Sequence, residues 1–153
     1  MVDKQYRPCV GAVIINHQNQ IFLGERCGLK DSWQMPQGGI DLKELPKEAL
    51  FREIEEEIGT NQIEVLKESS NWHSYILPDE ILKNVQQYWG DGVIGQRQKW
   101  FLCKFIGKEA DINLQTKHPE FSAYMWADKK TVMHYCKDFR KDVYTNVLRE
   151  FGF

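Results

Sequence analysis

The sequence predicts an α/β fold in which a mixed β-sheet lies between helices. Strand-like apolar segments precede and follow one amphipathic helix near the middle of the chain, and this element order is typical of the fold class. The chain of 153 residues contains no repeat, low-complexity tract or linker, and its length is usual for one compact domain. We therefore expect residues 1–153 to form a single domain.

The first part of the chain predicts three short strands. Residues 10–15 are apolar and β-branched, and residues 20–24 resume an apolar pattern after a polar turn, which indicates two paired strands. Residues 28–32 read as a loop. Residues 33–35 predict a short strand that ends before Pro36, because proline cannot donate a backbone hydrogen bond to a sheet.

The central helix is predicted over residues 46–58. Pro46 suits the first turn of a helix, and Gly59 is placed to end it. Ile54 and Ile58 continue an apolar stripe at helical spacing. This helix therefore packs one face against the sheet and exposes the other.

The second half of the chain predicts further strands and two helices. Alternating apolar and polar residues indicate the strands, and apolar residues at helical spacing indicate the helices. The strands are predicted at residues 63–67, 72–77, 99–105 and 123–126, and the helices at residues 129–135 and 140–151.

The composition is that of an ordinary globular protein. Hydrophobic residues make up 42% and charged residues 27%, with a formal net charge of −2. No global positive field therefore attracts nucleic acid, and phosphate binding must depend on local cations or metal ions. The polar residues 1–7 do not resemble a signal peptide, and no apolar run approaches the roughly 20 residues of a membrane span. We expect a cytoplasmic protein that does not enter a membrane.

The cysteine pattern does not predict a disulfide framework. Four widely spaced cysteines in a chain of this length form no Cys-x-x-Cys pair. We interpret them as single thiols in or near the core: Cys9, Cys27, Cys103 and Cys136.

The central helix carries an acidic face. Glu53, Glu56 and Glu57 are spaced i, i+3 and i+4, so they share one side of the helix. They repel one another and lie toward the negative end of the helix dipole. A divalent cation would reverse this repulsion, because Mg²⁺ takes oxygen ligands and links carboxylates to phosphates. The alternative is a solvated acidic face partly neutralised by Arg52.

The residues before this helix strengthen the metal hypothesis. Gly38 is followed after five residues by Glu44 and after seven more by Arg52-Glu53-Ile54-x-Glu56-Glu57-x-Gly59. This spacing over residues 38–60 resembles the Nudix box of the Nudix hydrolase family. Thr60 stands where the family usually has an aliphatic residue; that position packs the end of the helix.

Further segments resemble one subfamily, the bacterial RNA pyrophosphohydrolases, also described as dinucleoside polyphosphate hydrolases. Its members convert 5′-triphosphate RNA ends to monophosphate ends and so initiate RNA decay. The resemblance covers nearly the whole chain. It is carried by residues 6–8 (Tyr-Arg-Pro), 33–39 (Trp-Gln-Met-Pro-Gln-Gly-Gly), 95–101, 119–121 and 139–144.

The resemblance implies a Nudix α/β/α sandwich and a divalent-metal site. The expected cofactor is Mg²⁺, for which Mn²⁺ or another divalent cation can substitute. Glu56 and Glu57 are expected to bind the metal, while Glu53 either joins them or accepts the proton of the attacking water. The resemblance adds Glu120 and the backbone carbonyl near Gln37 as ligands.

Three more residues of the box are expected to support this site. Glu44 and Arg52 are expected to hold the box together, by pairing with each other. Gly38 belongs to the same supporting group.

Local cations and an aromatic residue are candidates for substrate binding. The substrate-binding set comprises Arg7, Arg26, Gln37, Gln98, Lys99, Phe139 and Arg140, with Arg97 as a further cation. Phe139 and Arg26 are suited to stacking on a base; the alternative for Phe139 is an ordinary core position. Trp33 and Trp100 are expected to be strand core instead of base platforms.

The leading functional hypothesis is an RNA 5′-pyrophosphohydrolase whose partner is an RNA 5′ end. Its nearest rival hydrolyses dinucleoside polyphosphates such as diadenosine tetraphosphate at the same site. A binding module without catalysis is disfavoured by the intact glutamates. A hydrolase of oxidised nucleoside triphosphates is disfavoured by Gln37, which stands at a position usually occupied by glycine. The sequence leaves the oligomeric state open.

Overall fold

A computed structural model describes residues 5–90 and 92–153. Eight strands in these residues join into one sheet. The strands are β1 (Tyr6–Ile15), β2 (Ile21–Arg26), β3 (Trp33–Gln34), β4 (Gln37–Gly39), β5 (Ile63–Glu68), β6 (His73–Ile76), β7 (Gly95–Phe105) and β8 (Phe121–Ala127).

Four α-helices and one short 3₁₀ turn complete the described part of the chain. The helices are α1 (Pro46–Ile58), α2 (Asp79–Trp89), α3 (Lys129–Tyr135) and α4 (Lys141–Glu150), and the 3₁₀ turn is Glu109–Asp111. Among the described helices, none combines the length and the apolar composition that crossing a membrane requires.

The sheet is mixed, as predicted. Its central pair, β1 and β7, is parallel along ten residue pairs from Tyr6 opposite Gly95 to Ile15 opposite Lys104. The other strand pairs are antiparallel. The main path runs β3-β2-β1-β7-β5, with β4 attached to β1, β6 to β7 and β8 to β2.

Each face of the sheet has its own apolar core. Successive residues of β7 point to opposite faces, so Phe101 packs in the core beneath α1 while Trp100 packs in the core shared with α3 and α4. Leu50 and Ile54 fill the first core, and Tyr144 of α4 meets Trp100 in the second at a ring separation of 5.7 Å. The chain is therefore the expected α/β/α sandwich.

Helix α1 begins and ends where the sequence predicts. Pro46 occupies its first turn, and the Glu48 carboxylate accepts a hydrogen bond of 3.0 Å from the Leu45 N–H. Gly59 ends the helix with φ +78°, a left-handed conformation that glycine adopts without steric cost. Thr60, the departure from the family pattern, is buried at this end of the helix.

Most predicted elements are present with shifts of a few residues. The strands at 10–15, 20–24, 63–67 and 123–126 and the helix at 129–135 are confirmed. The strand predicted at 99–105 begins earlier, at Gly95, and the last helix spans Lys141–Glu150. Two elements were not predicted, β4 and α2. Strand β4 holds two glycines, which disfavour a strand locally but permit close approach to α1.

The interpretation of the cysteines is wrong at one position. Cys9, Cys103 and Cys136 are buried, but Cys27 is exposed. Cys27 follows β2, where its backbone N–H bonds the carbonyl of Glu120 at 2.9 Å. This residue therefore belongs to a surface turn and contributes nothing to the core.

Candidate active site

A cavity of about 360 Å³ opens where β1, β4 and α1 meet the start of α4. It brings together residues from distant parts of the sequence. Its acidic residues are Glu53, Glu57, Glu120 and Asp138, its cations are Arg7, Arg26 and Arg140, and its aromatic and apolar wall is formed by Leu77, Ile81, Val85, Trp89, Tyr75 and Phe139.

The three box glutamates occupy different depths on α1. Glu57 is buried, with 3% of its surface exposed. Glu53 is half-buried and Glu56 is exposed. Glu53 and Glu57 line the cavity, so the acidic face of the helix is directed partly into the site and partly along its rim.

Gly38 is required by the position of Glu53. Gly38 pairs with Val10 on the α1 face of the sheet, and a Cβ added there would overlap the Glu53 carboxylate. The glycine of the box thus provides space for a carboxylate next to the backbone of β4.

Arg52 ties the glutamates to the loop that precedes α1. Its Nε and Nη2 donate to the two carboxylate oxygens of Glu44 at 2.8 Å each. Its Nη2 also reaches the Gly39 carbonyl at 2.8 Å, and Nη1 donates to Glu53 at 2.9 Å. The bonds from Arg52 to Glu44 are the main cause that lowers the pKa of Glu44 to about 2. The structure therefore places Glu44 and Arg52 as a bidentate pair beneath the site.

One carboxylate oxygen of Glu57 lacks a hydrogen-bond partner in the part of the chain that the structure describes. Its Oε2 is buried and, among the described residues, receives no hydrogen bond. Burial raises the pKa of Glu57 well above its usual range, and the nearby Glu53 and Glu120 raise it further, against a hydrogen bond with the Gln37 backbone. Burial also raises the pKa of Glu53, although Arg52 opposes this. A cation at this position would supply the missing partner.

The oxygen donors present fit a hard divalent cation. Carboxylates of Glu53, Glu57 and Glu120 surround one cavity, and such cations take oxygen ligands. In residues 5–90 and 92–153 no three acidic, histidine or cysteine side chains are gathered tightly enough to form a complete metal site. Arg52 pairs with Glu53 at 2.9 Å and contacts Glu56 at 3.3 Å.

Gln98, a predicted substrate-binding residue, is not among the residues that line the cavity. It is fully buried, and its Nε2 donates to Gln37 Oε1 at 2.6 Å while its Oε1 accepts from Trp100 Nε1 at 3.0 Å. Tyr75 and Gln96 join this network, and the Tyr75 hydroxyl donates to Gln96 Oε1 at 2.6 Å. Gln98 thus fixes the Gln37 side chain from a buried position, and a role in substrate binding could only act through Gln37.

Lys99 is likewise not placed in the cavity. It lies on the face of β7 opposite to Gln98, because adjacent strand residues alternate. Its Nζ is 3.8 Å from Glu68 and 5.9 Å from the Trp72 ring. Arg97 shares this face and stacks over Trp72 at 4.4 Å. Lys99 is therefore not among the residues that line the cavity, and its role in substrate binding stays a prediction.

Arg140 lines the cavity but its charge is already paired. Its Nε and Nη2 donate to Asp138 at 3.1 and 2.7 Å, and Nη1 donates to Gln34 Oε1 at 2.6 Å. With only 7% of its surface exposed, it is fixed in the wall. Arg140 therefore shapes the site more than it supplies free positive charge, which departs from the expected substrate-binding cation.

Arg7, Arg26 and Phe139 do reach the cavity. None of the ion pairs among the described residues involves Arg7 or Arg26. Phe139 packs against the core and also lines the cavity, with its ring 5.1 Å from Tyr75, and its role in base stacking stays a prediction. Trp100 is core, as predicted, and Trp33 is half-buried against the same core.

Several site residues were not predicted from the sequence. Asp138 and Gln34 fix Arg140, Tyr75 joins the glutamine network, and Trp89 closes the wall formed by α2. A signal for α2 existed, because Ile81, Val85 and Trp89 recur every four residues after Pro78. The other residues meet only through contacts between distant elements.

Mutually repelling carboxylates thus share one cavity on an α/β/α sandwich with two guanidinium groups, those of Arg7 and Arg26, that form no ion pair with any described residue. A polyphosphate bound together with divalent cations balances both kinds of charge. The fold and the site define an enzyme of the class that hydrolyses phosphoanhydride bonds.

The chain belongs to the Nudix family, because its residues 5–147 match the NUDIX domain. It is 46% identical over 145 residues to an RNA pyrophosphohydrolase of Rhodospirillum rubrum, an alignment that covers 95% of this chain and 86% of that protein. It is 42% identical over 151 residues to an RNA pyrophosphohydrolase of Wolbachia pipientis, covering 98% and 91% of the two chains.

A solved structure supports the fold independently. The dihydroneopterin triphosphate pyrophosphohydrolase of E. coli superposes with a TM-score of 0.70, covering 95% of this chain and 98% of that one. The sequence identity is 17%, so this likeness concerns the fold alone.

Proposed function

We propose that this protein is an RNA 5′-pyrophosphohydrolase that acts on triphosphate-ended RNA. One water molecule adds across the anhydride bond between the α- and β-phosphates, giving a 5′-monophosphate end and pyrophosphate. The observation that carries the hydrolytic chemistry is Glu57, whose buried Oε2 lacks a partner among the described residues. The relatives named for this activity align with most of both chains, which supports RNA as the substrate.

The proposed cofactor is Mg²⁺, with Mn²⁺ or a similar cation as a substitute. Glu56 and Glu57 would hold it, with Glu53, Glu120 and the Gln37 backbone carbonyl as further ligands. When bound, a divalent cation neutralises phosphate charge and makes a bound water more acidic. For Glu53 and Glu56 to serve as ligands, their carboxylates turn from the Arg52 guanidinium toward the cavity.

The chain's own residues then orient the reactants. Glu53 is the proposed acceptor of the water proton where it is not itself a ligand, because its half-buried carboxylate has a raised pKa. Arg7 and Arg26 line the cavity that would hold the phosphates, and neither takes part in an ion pair among the described residues. The paired Arg140 holds Gln34 and Asp138 in the wall.

A base-binding region lies beside the phosphates. Arg26 and Phe139 line the same cavity, and guanidinium and aromatic planes both stack on unpaired bases. We propose that they hold a base near the RNA 5′ end. An RNA substrate of this kind places the enzyme in the cytoplasm.

The substrate is tested by comparing triphosphate-ended RNA with diadenosine tetraphosphate, each with Mg²⁺ and with chelator. We expect pyrophosphate release from the RNA, a higher kcat/KM for RNA than for the dinucleotide, and no turnover with chelator. If the dinucleotide is consumed while RNA ends stay triphosphorylated, the enzyme is a dinucleoside polyphosphate hydrolase and the RNA proposal is wrong.

The role of Glu57 is tested by the Glu57→Gln variant. We expect kcat to fall by roughly 100-fold or more, in the range of a lost acid–base or ligand group, while the circular dichroism spectrum is unchanged. Glu55→Gln is the matched control, because Glu55 lies on the same helix and is exposed. Full activity of Glu57→Gln would contradict the assignment.

A further inference from the structure

Arg7 is held by an unusual set of neighbours. Its guanidinium carbon lies 4.5 Å from the centre of the Trp89 ring, at the last residue of α2. It also passes directly over Gly39, where an added Cβ would overlap its Nη2 and Cζ. Gly39 pairs with Cys9 on β1, so the guanidinium runs along the bare backbone of β4 toward the cavity.

Two other arginines at the site are fixed differently. Arg52 is held by Glu44 and Arg140 by Asp138, in each case through two hydrogen bonds to a carboxylate. None of the ion pairs among the described residues involves Arg7. A free arginine side chain loses rotamer entropy when it is ordered. Contact with an aromatic face orders such a cation without neutralising its charge.

We propose that Trp89 is a positioning residue that holds the Arg7 guanidinium toward the phosphates of a polyphosphate substrate. This inference deepens the proposed function, on which it rests for the nature of the ligand. Trp89 itself does not act on the reacting atoms. It keeps Arg7 extended beside Gly39 and leaves its positive charge available, which a carboxylate partner would not do.

Helix α2 supports this role. None of its residues is fully buried, and Leu82, Val85 and Trp89 attach it to the core by partial burial. The helix ends directly after Trp89, at Gly90, whose φ is +98°. The Trp89 indole therefore lies at the end of a helix that forms part of the apolar wall of the cavity. There it contacts the Arg7 guanidinium.

The test compares Trp89→Phe, which keeps an aromatic face, with Trp89→Leu and Trp89→Ala, which remove it. Two quantities are measured: kcat/KM on a triphosphate-ended oligonucleotide with Mg²⁺, and the affinity for inorganic tripolyphosphate by calorimetry. We expect Trp89→Ala and Trp89→Leu to lower both by about 3- to 30-fold, the range of a cation–π contact. Trp89→Phe retains most of both values. Tyr88→Ala is the control, because Tyr88 is 79% exposed on the same helix.

A double variant separates positioning of Arg7 from general packing. In an Arg7→Met background, Trp89→Leu should have little further effect, because the cation that it orients is gone. The inference is overturned if Trp89→Leu matches the wild type, or if the two losses multiply in the double variant.

The two proposals fail in different ways. If the wild-type protein has no activity on the RNA, the proposed function is refuted. A higher tripolyphosphate affinity of Trp89→Phe than of Trp89→Leu would still support the role of Trp89. If the wild-type protein hydrolyses the RNA but Trp89→Phe and Trp89→Leu bind tripolyphosphate equally well, only the role of Trp89 is refuted.

Discussion

At the scale of single residues, one helix face gives three glutamates three different environments. Glu57 is buried with an unpartnered oxygen, Glu53 is held by Arg52, and Glu56 is exposed. Burial and neighbouring carboxylates raise the pKa of Glu57, so its ionised form destabilises the metal-free fold. A bound cation converts this cost into an attraction. The residue that weakens the empty protein is thus the one best suited to bind metal.

Positive charge is also divided among residues according to their partners. Arg140 and Arg52 are neutralised by carboxylates and hold the walls of the site. Arg7 and Arg26 line the same cavity, and the ion pairs of the described residues do not include them. Phosphate affinity should therefore depend more on Arg7 and Arg26 than on Arg140.

The pair of Glu44 and Arg52 predicts a change in acid stability. Hydrogen bonds from Arg52 lower the pKa of Glu44 from 4.5 to about 2. The pair therefore stabilises the fold above about pH 4.5, and this stabilisation is lost as the pH falls from 4.5 toward 2. We expect Glu44→Gln to lower the free energy of unfolding at pH 7 by about 0.5 to 2 kcal/mol, allowing for solvent screening.

Urea unfolding at pH 7 and at pH 3 measures this effect. The difference between wild type and Glu44→Gln should shrink at the lower pH, because at pH 3 the Glu44 carboxyl of the unfolded chain, with its ordinary pKa of 4.5, is mostly protonated. Glu64→Gln is the control, because Glu64 is exposed on β5. An equal difference at both pH values would show that the pair does not set the acid response.

At the scale of elements, α1 connects the box to the sheet. Its apolar side, with Ala49, Leu50 and Ile54, packs in one core, which fixes the rotation of the helix about its axis. Glu53 and Glu57 then face the cavity because they lie on the adjoining side of the same helix. The position of the carboxylates therefore follows from the packing of the apolar stripe.

The end of α1 predicts a specific sensitivity to substitution. Gly59 has φ +78°, and a Cβ there would lie 2.5 Å from the Asn113 carbonyl oxygen. Gly59→Ala combines left-handed strain of about 1 to 2 kcal/mol with this steric overlap. Gly152→Ala is the matched control, because Gly152 has φ +92° and no atom within 4 Å of an added Cβ.

Thermal unfolding of both glycine variants distinguishes the two contributions. We expect Gly59→Ala to lower the melting temperature clearly more than Gly152→Ala, since only the former must also displace the backbone at Asn113. Equal losses in the two variants would mean that the contact with Asn113 relaxes freely.

At the scale of the whole molecule, the two cores make the fold independent of the site. Each face of the sheet is covered by a separate apolar cluster, and apolar burial is the main favourable contribution to folding. The cavity lies beside these clusters and collects the polar groups. Loss of metal should therefore affect chemistry without affecting architecture.

Chelation tests this separation. With chelator we expect turnover to vanish while the far-ultraviolet circular dichroism and cooperative unfolding persist. Adding Mg²⁺ should raise the melting temperature, because a ligand that binds only the folded state stabilises it. Unfolding by chelator alone would instead identify a structural metal site.

The sequence by itself determined most of the elements and the spacing of the box, but not β4 or α2. The spacing of Gly38, Glu53 and Glu57 could be read directly, because helical periodicity sets which residues share a face. Only the tertiary structure decided that Gln98 is buried and Lys99 faces away, since strand register assigns adjacent residues to opposite faces. Likewise, the contact of Arg7 with Trp89 joins residues that are distant in the chain, and no local pattern encodes such a pair.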